Sequence, residues 1–163
     1  MESGIQSEVT PMKNSTKVEQ KSDREVVVTR TFDAPARLVF EAWSEPELFK
    51  RWWVPKSMGM TLSACEMDVR TGGTYRLGFG NGMDFFGTYL EVTPPSRIVW
   101  TNDEGGGDSS VTTVSLEERG DTTLLVLSEV YPTKEALEAG AGAEEATHET
   151  FGQLDDLLVQ LQV

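Results

Sequence analysis

The last thirty residues set the terms for everything before them. After Pro132 the chain turns rich in Ala, Leu, Glu and Gln, all good helix formers. Gly140-Ala141-Gly142 interrupts the run, which predicts a short first turn or two and then one long helix from about Ala143. At 1.5 Å per residue the long piece spans roughly 28 Å, the width of a small domain. Leu154, Leu157, Leu158 and Leu161 recur at helical spacing, with Phe151 one turn earlier and Thr147 continuing the stripe. The C-terminal half of that stripe is greasy, and its N-terminal half is thinner and more polar. One helix with one greasy face needs a sheet to cover it.

Residues 60–131 supply the sheet. Strand-like runs over 60–69, 73–80, 84–93, 96–102, 110–119 and 122–131 are separated by Thr71-Gly72, Asn81-Gly82, Pro94-Pro95, the Gly105-Gly106-Gly107 loop and Gly120-Asp121. Asn-Gly and Gly-Asp between short strands are hairpin signals. Six consecutive short strands therefore predict an antiparallel meander, since parallel strands need long crossovers. Upstream, Arg24 to Phe32 reads as a further strand with Val26, Val27 and Val28 at its centre. Asp33 then reads as an N-cap, with Pro35 opening a helix that carries Leu38, Val39, Phe40, Ala42 and Trp43. Ser44 and Glu47 have the capping-box spacing for a second short helix with Leu48, Phe49, Trp52 and Trp53. Residues 1–22 are polar and lack any period, and read as a flexible tail before a domain over 23–163.

Charge narrows the partners. The chain holds 14 basic and 27 acidic residues, a net charge of −13. Nearly all of the excess lies after residue 100, so that third repels a phosphate backbone or an anionic membrane. It reads as a solvated acidic surface or as a docking face for a basic partner; no nucleic-acid partner is expected. Cys65 is the single cysteine, so no internal disulfide forms, as expected of a cytoplasmic protein. Its strand-like context favours burial over a reactive thiol. No apolar run approaches the ~20 residues of a membrane span, and the N-terminus has no apolar core of a secretion signal. Asn14-Ser15-Thr16 is read as a chance sequon.

Catalytic chemistry is hard to assemble from this sequence. His148, the sole histidine, lies on the flank of the helical stripe, with no nucleophile or carboxylate placed beside it by a motif. One His and one Cys far apart do not make a metal site. Asp103-Glu104-Gly105-Gly106-Gly107-Asp108 lacks EF-hand spacing and reads as a solvated hairpin loop. Gly78, Gly80 and Gly82 end a strand without opening a helix, so they are no nucleotide fingerprint. Arg76 and Asp84 face each other across that turn, as a surface pair or at a pocket mouth. No catalytic residue, metal or cofactor is assigned.

Several segments taken together resemble a known superfamily. They are Ala42-Trp43-Ser44-Glu45-Pro46-Glu47-Leu48 running into Trp52-Trp53-Val54-Pro55, then Asp68-Val69-Arg70-Thr71-Gly72-Gly73-Thr74-Tyr75-Arg76. Gly87-Thr88-Tyr89-Leu90-Glu91-Val92-Thr93-Pro94-Pro95 and Arg97-Ile98-Val99-Trp100-Thr101 complete the set. The chain from about 24 to 162 resembles the START-like (Bet v 1-like, SRPBCC) superfamily, in the branch related to the C-terminal domain of activators of the Hsp90 ATPase. Many members begin the greasy part of the last helix with Gly-Trp, where this chain has Glu149-Thr150; loss of that Trp widens the space under the helix. Asp68 and Arg70 read as anchors of the turn into Gly72-Gly73.

The resemblance implies an α+β helix-grip fold. A curved seven-stranded antiparallel sheet holds the long C-terminal helix, two short helices after the first strand plug one end, and a cavity often lies between helix and sheet. Period-2 counting gives candidate walls. Phe86, Thr88, Leu90 and Val92 share one strand face, as do Tyr75, Leu77 and Phe79, with Ile98 and Trp100 as a third set. Phe40, Trp43, Thr147, Phe151 and Leu154 come from the helices. For each, ordinary core packing is the competing reading.

Three functions follow. The first is binding of a hydrophobic or amphipathic small molecule. The second is an Hsp90 co-chaperone-like interaction module, and the third a polyketide-cyclase-like enzyme. A monomer or weak dimer is expected.

Overall fold

The computed structural model describes residues 15–80, 84–103, 108–140 and 143–162. The tail to Asn14, the Asn81-Gly82 turn, the Gly105-Gly106-Gly107 loop and the Ala141-Gly142 break lie outside the described residues.

Strands β1 (Lys17–Gln20) and β2 (Glu25–Phe32) come first. Helices α1 (Ala36–Ser44) and α2 (Pro46–Phe49) and a single 3-10 turn (Lys56–Met58) follow. The meander is β3 (Ala64–Met67), β4 (Thr74–Gly78), β5 (Asp84–Thr93), β6 (Arg97–Asn102), β7 (Ser110–Arg119) and β8 (Thr122–Val130). Helices α3 (Lys134–Ala139) and α4 (Ala143–Leu161) end the chain. All neighbours are antiparallel, in the order β1-β2-β8-β7-β6-β5-β4-β3.

Among the described residues the sheet has eight strands where seven were expected. The extra one, Lys17–Gln20, comes from residues whose composition reads as tail; it pairs with β2 through Val18↔Val28 and Gln20↔Val26. Its Lys17 and Lys21 bridge to Glu19. A charged, short strand is what a sheet edge favours, and charge is what hides it from a search for β-branched alternation.

Both expected helix caps are corrected. Pro35, and not Asp33, is the N-cap residue of α1, and no side chain of its own segment caps it. The Ala36 amide instead donates to Glu118 Oε1 at 2.8 Å, from the far end of β7. Ser44 turns backwards and donates to the Phe40 carbonyl at 2.8 Å, while Pro46 opens α2. A tertiary contact and a proline do the work that local capping residues were assigned.

The sheet wraps α4 from one side and α1 and α2 close the end. Trp52 Nε1 donates to the Ala42 carbonyl at 2.9 Å, tying the segment after α2 back onto α1. Gln153 of α4 donates to the carbonyls of Trp52 and Val54 and accepts from the Lys56 amide, and Glu149 accepts from the Ser57 amide and hydroxyl. The segment after α2 is thereby tied to the middle of α4. Below it, Phe151, Leu154, Leu157 and Leu158 are at most 3% exposed against Phe32, Val39 and Leu125.

Candidate functional site

One turn before Phe151 the packing opens into a cavity of about 200 Å³. Its floor is the concave face of β4 to β8, and its roof is Trp43 of α1, Phe49, Trp53 and Thr147 of α4. Trp43 is the hub of the roof, with ring centroids 4.8 Å from Trp52, 5.9 Å from Trp100 and 6.3 Å from Phe151. Trp53 closes one side against Phe85 at 5.5 Å. Trp43 Nε1–H is buried and has no acceptor among the described residues. Burial pushes the Tyr89 phenol far above its ordinary pKa, so it stays neutral.

The floor is apolar through Leu77, Ile98 and Leu127 and polar at one end. Register places Trp100, Thr112 and Glu129 side by side on β6, β7 and β8. Trp100 Nε1–H donates to Asn102 Oδ1 at 3.2 Å, and Asn102 Nδ2 donates to Ser110 and Thr112, both at 2.9 Å. Ser110 Oγ donates in turn to Glu129 Oε2 at 3.1 Å. The Tyr75 hydroxyl donates to the Thr101 carbonyl at 2.8 Å and lies 3.1 Å from Asn102 Oδ1. Such a mostly apolar wall with a few fixed polar groups is the usual make-up of a small-molecule site.

A second cavity of about 340 Å³ lies on the other side of Leu127, Glu129 and Thr147, which border both. Val18 and Gln20 of β1, Tyr131 and Leu137 complete it. The edge strand is thus part of a wall. The first cavity is the candidate site, because it holds the aromatic roof and the ordered polar chain.

Of the residues named from sequence, Trp43, Tyr75, Leu77, Ile98, Trp100 and Thr147 border the first cavity. Phe40, Phe151 and Leu154 lie in the packed core instead. Phe79 lies past the end of β4, its ring 6.0 Å from Phe85. Phe86 and Leu90 are 43% and 50% exposed, on the outer face they share with Thr88. The cause is a bulge: pairing with β6 steps from Tyr89↔Trp100 to Glu91↔Val99, leaving Leu90 as the extra residue. Phe85 and Tyr89 face inward before the bulge, and Val92, packed on the core, faces inward after it. Gly87 is on the inner face, where a Cβ would fall 1.9 Å from the Thr101 carbonyl oxygen. Sequence reasoning also passed over Asn102, Thr112 and Glu129. Extending the Ile98-Trp100 alternation by one step reaches Asn102, which is the signal that was present.

The remaining candidates resolve simply. Asp68 and Arg70 pair at 2.9 Å on the surface, and the turn they hold docks on β5 through Gly72 and Gly73 hydrogen bonds to Tyr89. Arg76 and Asp84 form an exposed pair at 3.0 Å. His148 is exposed and borders neither cavity. Burial pushes the Cys65 thiol up, which lowers its reactivity. Among the described residues no group of His, Cys, Asp or Glu is placed to hold a metal ion, and no helix is long and apolar enough to cross a membrane.

With helix, sheet and cavity in place, the comparison with known proteins is direct. Residues 33–161 match the family model "Activator of Hsp90 ATPase homolog 1-like protein". The chain belongs to that family. Its fold is shared with a crystal structure from Rhodobacter sphaeroides at 23% identity, TM-score 0.77, covering 90% of this chain and 99% of that one. A protein from Nitrosomonas europaea is similar at 24% identity, TM-score 0.76, over 88% and 99% of the two chains. CalU16 from Micromonospora echinospora is similar at 26% identity, TM-score 0.63, over 83% and 81%. No curated protein matches the chain. The family and its helix-grip fold are those of a ligand-binding or co-chaperone-like domain.

Proposed function

We propose that the domain, in the cytoplasm, binds a hydrophobic or amphipathic small molecule in the cavity under the N-terminal half of α4. The observation that carries this reading is the hollow itself. A helix whose lower half is packed to 0–3% exposure leaves about 200 Å³ empty one turn higher, roofed by Trp43 and floored by an ordered polar chain. Burial of a ligand's apolar surface there is worth about 25 cal/mol per Å². The test is an NMR titration of labelled protein with fatty acids, sterols and aromatic polyketide-like compounds. Shifts centred on Trp43, Trp100 and Thr147 are expected; a folded protein that shows none with any compound sinks the reading.

A second reading, an interaction module for Hsp90, is favoured by the family match and by the acidic last third of the chain. Retention of Hsp90 on the immobilised domain, with a changed ATPase rate, supports it; neither effect excludes the cavity reading.

A further inference from the structure

We propose that the two cavities form one elongated site, which takes a molecule with an aromatic head under Trp43 and an unbranched aliphatic tail reaching the edge strand β1. This rests on the cavity reading above and names the class of ligand. Register sets the cavities end to end. Trp100, Thr112, Glu129, Val26 and Gln20 stand opposite one another on β6, β7, β8, β2 and β1, in a single row across the sheet. The first three border the first cavity and the last three border the second, so one row floors both. It crosses four strand spacings, roughly 19 Å at ~4.8 Å each.

The partition between the cavities is thin. Among the described residues only Leu127, Glu129 and Thr147 border both, and each is half-buried. One step further along the strand and the helix, Leu125 and Phe151 are at most 2% exposed. At about 200 Å³ the first cavity is smaller than the ~300 Å³ at which small-molecule sites begin, and the 340 Å³ beside it brings the pair inside that range. The chemistry changes along the row. Trp43, Phe49, Trp53, Phe85 and Trp100 surround the first cavity with rings, which an aromatic ligand meets edge-to-face or offset. Val18, Val26, Val28, Leu127 and Leu137 make the second aliphatic, with Tyr131 the one ring among its described walls. A methylene chain gains burial there without needing a ring's geometry. Strand β1 closes the far end of the tail's chamber through Val18 and Gln20.

The test uses the whole protein at neutral pH with two probes that share a head, 4-ethylphenol and 4-hexylphenol. NMR shifts are read at Trp100 and Ile98 for the first cavity and at Val18, Val26 and Leu137 for the second. 4-Ethylphenol is expected to move the first set alone. 4-Hexylphenol should move both sets together in one 1:1 step and bind at least tenfold tighter, since each buried methylene is worth about fourfold. Val18→Phe, which fills the far end of the tail's chamber, should take away most of that gain. A longer chain that brings no gain, moves only the first set, or fills the two cavities in separate steps overturns the single site and leaves the cavity reading intact. If neither phenol moves Trp100 or Ile98, the cavity reading itself has failed. The wild-type comparison decides the matter even if the variant does not fold.

Discussion

The two halves of α4 face the same sheet and do opposite things with it. From Phe151 onward every inward position is a large apolar residue, and the space beneath is filled. One turn earlier the inward residue is Thr147, the sheet opposite offers Thr112 and Glu129, and the space is empty. The contrast shows stability and binding apportioned along one helix. The packed half holds the fold together, so the other half is free to stay hollow.

Three changes would break or sharpen that division. The largest effect belongs to the packed half. Leu154 is fully buried, so Leu154→Ala should cost about 3–4 kcal/mol, the sum of lost transfer energy and a new void. Denaturant titration reads it, and a loss below about 1 kcal/mol would mean that this half is not the stabilising one. In the hollow half, Thr147→Leu adds apolar volume where there is room. It should shift stability by less than about 1 kcal/mol and weaken about tenfold the binding of whichever compound of the NMR panel enters the cavity, since the added carbons occupy the ligand's space. Equal damage to stability from both substitutions would abolish the distinction.

The smallest effect concerns two carboxylates of the same helix that titrate in opposite directions. Hydrogen bonds from Ser57 hold Glu149 below its ordinary 4.5. Its contribution to stability is present above 4.5 and is lost as pH falls through the folded-state value. Asp155 is raised above its ordinary 3.8 because burial outweighs the attraction of Arg30, with which it forms an ion pair. Its ionisation therefore works against folding above the folded-state pKa, and that cost is gone below 3.8. Carboxyl NMR titration should show Glu149 below 4.5 and Asp155 above 3.8, and Ser57→Ala, which removes the hydroxyl donor and keeps the amide one, should move Glu149 part of the way back towards 4.5 and leave Asp155 where it is.

The frame of the molecule was legible from residues acting locally. The β7 and β8 boundaries follow from alternation and the Gly120-Asp121 turn, and the start of α4 follows from the Gly140 break. What escaped was set by residues distant in sequence. Glu118 caps a helix 82 positions away, and a one-residue bulge at Leu90 reverses the inward face of β5, so Phe86 and Leu90 fall outside and Phe85 and Tyr89 inside. Within the site, the aromatic half was readable and the polar half was not. Glu129 sits in an ordinary alternating strand, and only its neighbours Ser110 and Thr112, brought in by pairing, give it a role.

Strand β2 lies between β1 and β8, with Glu25 opposite Val130 and Phe32 opposite Thr123. On that side β2 therefore waits during synthesis for a partner made about a hundred residues later. Pairings so remote in sequence are slow to form, because loop closure must be met before any contact rewards it. Until β8 arrives, Val26, Val27 and Val28 form an unsatisfied β-branched edge, open to chaperones and to neighbouring nascent chains alike.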